Sequence, residues 1–234
     1  MSPYLGEFLG TMILILLGDG VVANVCLGKT KGNNSGWIVI TTGWALAVAI
    51  PAFIFGSISG AHFNPALTIA LAAIDKFDWA KVPGYIGCQF AGAIVGAALV
   101  WLTYLPHWKE TEDKWAKLGV FCTAPAIRNY PANLITEIIG TFMLVFGILG
   151  LGKVTMADGL GTAAVGGLIW VIGLTLGGPT GYAINPARDL GPRIAHAILP
   201  IPNKGGSDWA YSWVPVLGPI IGALIAGFLF NAIF

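Results

Sequence analysis

The sequence predicts an all-α membrane protein with six transmembrane helices and two shorter re-entrant half-helices, arranged as an inverted repeat. Three observations predict it: an apolar composition, six apolar segments of membrane-spanning length, and short motifs that occur once in each half. Hydrophobic residues make up 56% of the 234 residues and charged residues only 10%, with a mean hydropathy of +0.79. A typical domain in water carries about 25% charged residues, so the composition predicts that this chain is solvated by lipid.

Six apolar segments qualify as membrane spans, since about 20 helical residues cross the hydrocarbon core. They cover residues 4–27, 36–55, 80–103, 132–151, 159–177 and 208–234. Two further apolar segments, residues 65–74 and 186–199, are too short to span. They are predicted to be half-helices that enter the membrane without crossing it.

The triplet Asn-Pro-Ala begins each predicted half-helix, at residues 64–66 and 185–187. Asn is a favoured helix cap, and Pro is tolerated at the first helical position. The non-helical backbone before each cap lies at membrane depth, where it is tolerated only when buried in protein or lining a wet cavity. We therefore expect a path for water or solute lined by the backbone carbonyls of Gly60, Ala61, His62, Phe63, Ala183 and Ile184.

A second motif, Glu-x-x-Gly-Thr, occurs at Glu7 in the first span and at Glu137 in the fourth. Each half thus contains three spans and one half-helix in the same order. An odd number of spans forces the halves into opposite orientations, so the half-helices enter from opposite faces and meet near the midplane. The predicted organisation is a first repeat at 1–103, a connector across the outer face at 104–131 and a second repeat at 132–234.

The two half-helix N-termini make the predicted midplane electropositive, because each helix start carries roughly half a positive charge. Cations and hydrated protons should meet a barrier there. The side-chain amides of Asn64 and Asn185 can instead donate hydrogen bonds to a neutral hydroxyl. This arrangement of donors and carbonyl acceptors predicts passage of neutral polar solutes.

Arg188 follows Asn185 by three residues, nearly one helical turn, so both side chains are expected to face the same lumen. A guanidinium there would bind hydroxyl oxygens and repel cations. The alternative is an arginine that snorkels or pairs with Asp189. Because an intramembrane charge is costly, we favour a functional position in a constriction.

Glu7 and Glu137 allow two interpretations, a proton relay and a scaffold. The scaffold is favoured, because each re-entrant turn has unpaired backbone N–H groups that a buried carboxylate can accept, and no chain of titratable groups joins the two residues. Asp19, which lies between Gly18 and Gly20 in the first span, has no role that the sequence explains.

The composition and motifs disfavour several other classes of protein. A net charge of +1 provides no basic surface for nucleic acid. The three cysteines lack metal-ligand spacing, and neither a metal site nor a cofactor is predicted. An enzyme would need a nucleophile and a base in the lumen, and Asn and Arg supply neither.

The two triplets, the paired Glu-x-x-Gly-Thr motifs and Arg188 together resemble the major intrinsic protein family, the aquaporins and glycerol facilitators. The resemblance covers essentially the whole chain. It implies a right-handed aquaporin-like bundle that forms a homotetramer, with one pore per protomer, in the lipid bilayer of the cell membrane. It further implies cytoplasmic termini, passive passage of water or small uncharged solutes, and a scaffold role for Glu7 and Glu137.

The resemblance also maps Trp44, Gly173 and Tyr182 onto a constriction beside Arg188. Trp44 and Tyr182 would form an aromatic corner for a carbon skeleton, while Arg188 holds its hydroxyls. Water-selective relatives typically carry His at the position of Gly173 and Phe at that of Trp44, and this chain has neither. Asp189, expected to be a structural support, also resembles the glycerol-conducting branch. We therefore expect a channel for glycerol, other small neutral solutes and water that excludes ions and protons.

Two alternatives remain open at this point. The first is a strict water channel of the same fold, against which Gly173 and Trp44 argue. The second is a coupled secondary transporter, which also uses inverted repeats and broken helices but needs an ion-binding or titratable relay at the midplane. Tyr182 replaces the Phe common in bacterial glycerol facilitators, and the sequence does not reveal how its hydroxyl affects solute choice.

The distribution of basic residues runs against the implied orientation. With both termini cytoplasmic, the inner loops hold Lys76, Lys81 and Lys153, and the outer loops hold Lys29, Lys31, Lys109, Lys114, Lys117, Arg128 and Lys204. Positive-inside counting favours the opposite orientation. Much of the excess lies in the connector, where acidic residues interleave, so we keep the orientation that the resemblance implies.

Overall fold

The computed structural model describes all 234 residues and consists of helices and loops without a β-strand. The helices are α1 (Pro3–Cys26), α2 (Trp37–Ser59), α3 (Pro65–Ala73), α4 (Val82–Thr103), α5 (Lys114–Phe121), α6 (Tyr130–Leu151), α7 (Leu160–Leu176), α8 (Pro186–Ile198) and α9 (Val214–Ile233). Two single 3₁₀ turns, Trp79–Lys81 and Leu105–His107, flank α4.

Six of these helices account for the predicted spans. Helices α1, α2, α4, α6 and α9 are long and apolar enough to cross a membrane. Helix α7 is a shorter apolar helix of 17 residues, which rises about 25 Å at 1.5 Å per residue and lies at the short end of the spanning range. Helices α3 and α8, with 9 and 13 residues, are the two half-helices. The predicted all-α membrane fold is confirmed.

Two predicted span boundaries were wrong by more than two residues. Helix α2 continues through Gly56 and Ser57 and ends at Ser59 rather than at residue 55. The last span begins at Val214 rather than at residue 208, because Asp208 has a φ of 48° and the chain turns until Trp213. Helix α5, within the connector, was not predicted.

The two halves pack in the same way because small residues occur at equivalent contacts. Helix α1 lies along α4, and α6 lies along α9. A Cβ atom placed on Gly92 of α4 would lie 2.2 Å from the carbonyl oxygen of Phe8, and one placed on Gly222 of α9 would lie 2.2 Å from that of Ile138. Only glycine allows backbones to approach this closely, as in small-xxx-small membrane contacts.

The half-helices connect the two halves of the molecule. Helix α3, from the first half, packs mainly against α9 of the second, and α8 packs mainly against α4 of the first. Each half-helix is therefore held largely by the opposite repeat, and their N-termini meet in the interior.

Candidate functional site

The N-termini of α3 and α8 meet through reciprocal hydrogen bonds of their capping asparagines. Oδ1 of Asn64 accepts from the backbone N–H of Ala66 at 2.9 Å, and Oδ1 of Asn185 accepts from that of Ala187 at 3.0 Å. The amide nitrogens reach across the junction. Nδ2 of Asn64 donates to the carbonyl of Ile184 at 2.8 Å, and Nδ2 of Asn185 donates to that of Phe63 at 2.8 Å.

These cross-bonds change the expected role of the caps. Each side-chain amide has two N–H groups, and one of them is used to join the half-helices, which leaves the other for a solute. The carbonyls of Phe63 and Ile184 likewise keep one lone pair each. Both asparagines line the interior cavity, with 5% and 7% of their surfaces exposed.

The re-entrant backbone before each cap adopts a strained conformation. Ala61 and Phe63 have φ values of 51° and 47°, and Tyr182 and Ile184 have values of 38° and 44°. A non-glycine residue in this left-handed region costs roughly 1–2 kcal/mol. Such strain persists only where the surroundings over-determine it, and here two buried glutamates provide the opposing bonds.

Glu7 anchors the first re-entrant turn. Its carboxylate accepts hydrogen bonds from the backbone N–H groups of His62 and Phe63 at 3.0 and 2.7 Å. Ser59 Oγ and Gln89 Nε2 donate to the same carboxylate at 2.7 and 2.8 Å. The N–H groups therefore point to Glu7, away from the cavity.

Glu137 anchors the second turn in the equivalent way. It accepts from the backbone N–H groups of Ala183 and Ile184 at 3.1 and 2.8 Å, and from Thr180 Oγ1 at 2.6 Å. Both glutamates are buried. The first span of each half thus supplies one carboxylate to the re-entrant turn of the same half.

The cavity that passes the two caps is lined by polar groups and by apolar side chains. Of the predicted residues, it is lined by Trp44, Ala61, His62, Phe63, Asn64, Tyr182, Ala183, Ile184, Asn185 and Arg188. Its aliphatic lining residues include Leu14, Val48, Leu67, Leu144, Ile148 and Ile169. A solute in the cavity therefore contacts both hydrogen-bonding groups and hydrocarbon.

Two predicted lining residues, Gly60 and Gly173, do not line this cavity. Gly60 ends α2 with a φ of 81°, a conformation that favours glycine. Gly173 is covered by Tyr182, because a Cβ atom placed on it would lie 2.9 Å from Cζ of Tyr182. The Tyr182 ring, which also meets Trp37 edge to face at 5.8 Å, occupies the space beside Gly173.

Arg188 lies in the first turn of α8 and lines the cavity with 7% of its surface exposed. Its guanidinium carbon lies 4.0 Å from the ring centroid of Trp44. Its Nη1 is 3.4 Å from the carbonyl oxygen of Phe121 and 3.5 Å from Oδ1 of Asp19. The remaining N–H groups have no protein acceptor and are available to a solute.

Asp189 does not pair with Arg188, and the acidic residue within ion-pair distance of Arg188 is instead Asp19. Asp189 pairs with Arg193 at 2.8 Å and accepts from both the backbone N–H and the hydroxyl of Thr123. Arg193 in turn donates to the carbonyl oxygen of Ser207 at 2.8 Å. This buried network ties α8 to the loop that follows it and to the segment between α5 and α6.

His62 contributes its backbone to the lining and packs its ring into an aromatic cluster. The ring Nδ1 lies 3.1 Å from Thr68 Oγ1, and the ring centroid lies 4.7 Å from that of Phe77 and 5.2 Å from that of Tyr85. Its backbone N–H is the one that Glu7 accepts.

A family model described as major intrinsic protein matches residues 1–230. The chain belongs to the major intrinsic protein family.

Similar proteins cover this major intrinsic protein along its whole length. It is 68% identical over 234 residues to a probable glycerol uptake facilitator protein from Thermotoga maritima, with 100% of both chains covered. It is 57% identical to the glycerol uptake facilitator protein of Bacillus subtilis, covering 100% of this chain and 85% of that protein. The structure resembles that of the aquaglyceroporin from Plasmodium falciparum with a TM-score of 0.87 and 32% identity, covering 97% of this chain and 94% of that one.

Sequence reasoning did not find two features of the site in this major intrinsic protein. One is the pair of cross-bonds between the half-helices, and the other is the proximity of Asp19 to Arg188. An acid in a membrane span is itself a signal of a functional position. The partner of Asp19 could not be predicted, because Asp19 and Arg188 belong to opposite repeats and meet only through tertiary packing.

Proposed function

We propose that this protein is a passive channel for glycerol and other small uncharged solutes, and for water, and that it excludes ions and protons. One observation carries the proposal. The cavity combines an aliphatic wall and the aromatic rings of Trp44 and Tyr182 with a polar track that ends at Arg188. A polyol has the same division into carbon skeleton and hydroxyls. The names of the two bacterial relatives and of the similar structure support glycerol as the solute.

Hydroxyl groups would move along the track by exchanging hydrogen bonds. Arg188 offers N–H donors, the carbonyls of the two re-entrant turns offer acceptors, and the free N–H groups of Asn64 and Asn185 offer donors at the centre. A polar group stripped of water without compensation costs roughly 2–7 kcal/mol. The track lowers this cost for neutral solutes at each step, so no conformational cycle is required.

Cations are opposed at two positions. The N-termini of α3 and α8 both point at the junction of the caps, and each contributes roughly half a positive charge. Arg188 adds a further positive charge in the same cavity. Because Asn64 and Asn185 are held as donors by their cross-bonds, a hydrogen-bonded file of water at the junction cannot pass a proton through them.

The proposed assembly follows the resemblance to the family. We place the protein in the cell membrane with both termini in the cytoplasm, as a homotetramer with one pore per protomer. The two repeats, 1–103 and 132–234, would each supply one half-helix to that pore, and the connector 104–131 would cross its outer face.

Stopped-flow light scattering on proteoliposomes tests the proposal. We expect glycerol and water permeability well above those of protein-free liposomes, glycerol flux that does not change when a proton or sodium gradient is imposed, and no ionic conductance above the lipid background. Raised water permeability with glycerol flux at the protein-free level would instead indicate a strict water channel. Glycerol flux that follows an ion gradient would indicate a coupled transporter.

A further inference from the structure

Asp19 is an acidic residue in the middle of the protein that the proposed function does not use. It lies on α1, has 0% of its surface exposed, and neither carboxylate oxygen accepts a hydrogen bond from the protein. A buried charge is costly without a partner. An acidic residue inside a membrane span is by default a candidate for a specific interaction.

The charged group within ion-pair distance of Asp19 is Arg188, whose Nη1 lies 3.5 Å from Oδ1. Arg188 lines the cavity, whereas Asp19 does not. The carboxylate therefore sits behind the wall and attracts the guanidinium away from the lumen. The only protein hydrogen bond of the guanidinium is the 3.4 Å contact with the Phe121 carbonyl, so few other contacts fix its position.

The same turn of α1 also seats the aromatic partner of Arg188. A Cβ atom placed on Gly18 would lie 2.2 Å from Cζ3 of Trp44, which shows that the indole packs directly on the glycine backbone. The guanidinium carbon of Arg188 lies 4.0 Å from the centroid of that indole. Gly18 thus supports the Trp44 side chain by close packing, and Asp19 attracts the neighbouring Arg188 side chain by charge.

We propose that Asp19 is a positioning residue for solute selectivity. It holds Arg188 against the Trp44 side of the cavity and offsets part of its charge, which keeps the passage wide enough for a three-carbon polyol. This inference rests on the proposed function of the channel. It assigns a role to a residue of the first repeat in setting a side chain of the second.

The substitution Asp19→Asn tests the inference, because asparagine preserves the size of the side chain and removes its charge. Without the attraction, the guanidinium moves towards the lumen and obstructs glycerol more than water. We expect the ratio of glycerol to water permeability in proteoliposomes to fall at least about twofold, the effect of a coupling free energy at the low end for contacting residues. An unchanged ratio would overturn the proposal.

The matched control is Thr11→Val on the same helix. Thr11 is also fully buried, and its hydroxyl also lacks a partner. The change removes a polar atom of α1 that is remote from Arg188, and we expect the permeability ratio to stay at the wild-type value. A fall equal to that of Asp19→Asn would mean that any loss of a buried polar group on α1 alters selectivity, which would overturn the specific role of Asp19.

The Arg188→Val background separates positioning from a general structural effect. If Asp19 acts through Arg188, adding Asp19→Asn to Arg188→Val changes the permeability ratio no further. It also raises the thermal stability in detergent, because it removes a buried carboxylate that has lost its partner. Equal effects of Asp19→Asn in both backgrounds, or a lower stability of the double variant than of Arg188→Val, would overturn the proposal.

The stability comparison does not depend on glycerol transport. If the wild-type protein fails to conduct glycerol, the proposed function is rejected, while the melting temperatures of Arg188→Val and of the double variant still decide whether Asp19 and Arg188 form a pair.

Discussion

At the scale of single residues, Glu7 and Glu137 replace the hydrogen bonds that a regular helix would have supplied to each re-entrant turn. Both oxygens of Glu137 are used, because Oε1 accepts from Ala183 and Thr180 while Oε2 accepts from Ile184. The backbone N–H groups are thereby satisfied on the side away from the cavity. The carbonyls of the same residues are left to face a solute.

The substitution Glu137→Gln should destabilise the protein by about 1–3 kcal/mol, the cost of an unsatisfied buried group. A glutamine amide placed at the position of Oε2 turns an N–H group towards the N–H of Ile184, so donor faces donor. The melting temperature in detergent measures the loss. The control is Glu112→Gln in the connector, where the side chain is exposed, and it should have the melting temperature of the wild type. Equal melting temperatures for the two variants would contradict the anchoring role of Glu137.

Gly173 shows how one residue can influence the pore without lining it. The sequence analysis placed Gly173 directly in the constriction, at a position where water-selective relatives typically carry His. In the structure, the Tyr182 ring fills the space, and Thr41 Cγ2 would lie 3.0 Å from an added Cβ atom. Gly173 thus decides where Tyr182 can lie, and Tyr182 lines the cavity.

Gly173→His should reduce glycerol flux more than water flux, because the imidazole displaces Tyr182 towards the lumen and the larger solute is obstructed first. Stopped-flow permeability to both solutes measures the two losses. Gly167→His is the matched control on the open face of α7, where nothing lies within 4 Å of an added Cβ atom. Equal losses of glycerol and water flux in Gly173→His would show that this position does not shape selectivity.

Local chemistry explains which residues of the site the sequence could predict. Asn64 and Asn185 are recognisable because an Asn-Pro pair is a helix start wherever it occurs, and Glu7 because a membrane span rarely carries an acid. The coverage of Gly173 by Tyr182, and the contact of Asp19 with Arg188, depend on how α1, α7 and α8 pack. No local pattern encodes those contacts.

At the scale of elements, several basic residues of the loops act as local hydrogen-bond donors. Lys204 donates to three carbonyls at the C-terminal end of α8, and Lys117 donates to the carbonyl of Pro202 at 2.5 Å. Lys29 pairs with Glu110, and its hydrogen bond lowers the pKa of that carboxyl group. Three of the basic residues that run against positive-inside counting therefore form hydrogen bonds within the loops and are not free to interact with lipid headgroups.

Helix α5 illustrates why elements outside the membrane were harder to predict than the spans. It has only eight residues, capped by Asp113, whose side chain accepts from the N–H of Trp115 at 2.8 Å. Isolated helices this short are unstable, so α5 depends on packing against α1 and α8. The spans, by contrast, are dictated by apolar length alone, and their predicted ends mostly agree with the structure.

Gly92→Ala should weaken the contact of α4 with α1, because the methyl group would lie 2.2 Å from the Phe8 carbonyl oxygen. Overpacking of this kind costs about 1–3 kcal/mol, and we expect a lower melting temperature in detergent. Gly87→Ala on the same helix meets nothing within 4 Å and should melt at or slightly above the wild-type temperature. Indistinguishable melting temperatures of the two variants would contradict the close approach of α1 and α4.

At the scale of the whole molecule, the repetition of the motifs in both halves made the organisation predictable from the sequence. Each motif occurs once in each half, and the structure repeats the same arrangement twice: a carboxylate on the first span of the half, a strained turn and a capped half-helix. A pattern found twice in the same order constrains topology far more than a single occurrence. What the repeat could not predict is the asymmetry between halves, such as Arg188 and its Asp19 partner, which occur only once.

The packing of α3 against α9 and of α8 against α4 has a consequence for folding during synthesis. When the ribosome has released only the first three spans, α3 lacks its main packing partner, because α9 is made later than α3. Glu7 belongs to the same half as the turn that it anchors. The anchor of that turn is therefore present before the second half of the chain is made. Each repeat thus supplies the carboxylate that anchors its own re-entrant turn, whereas each half-helix depends on the opposite repeat for most of its packing.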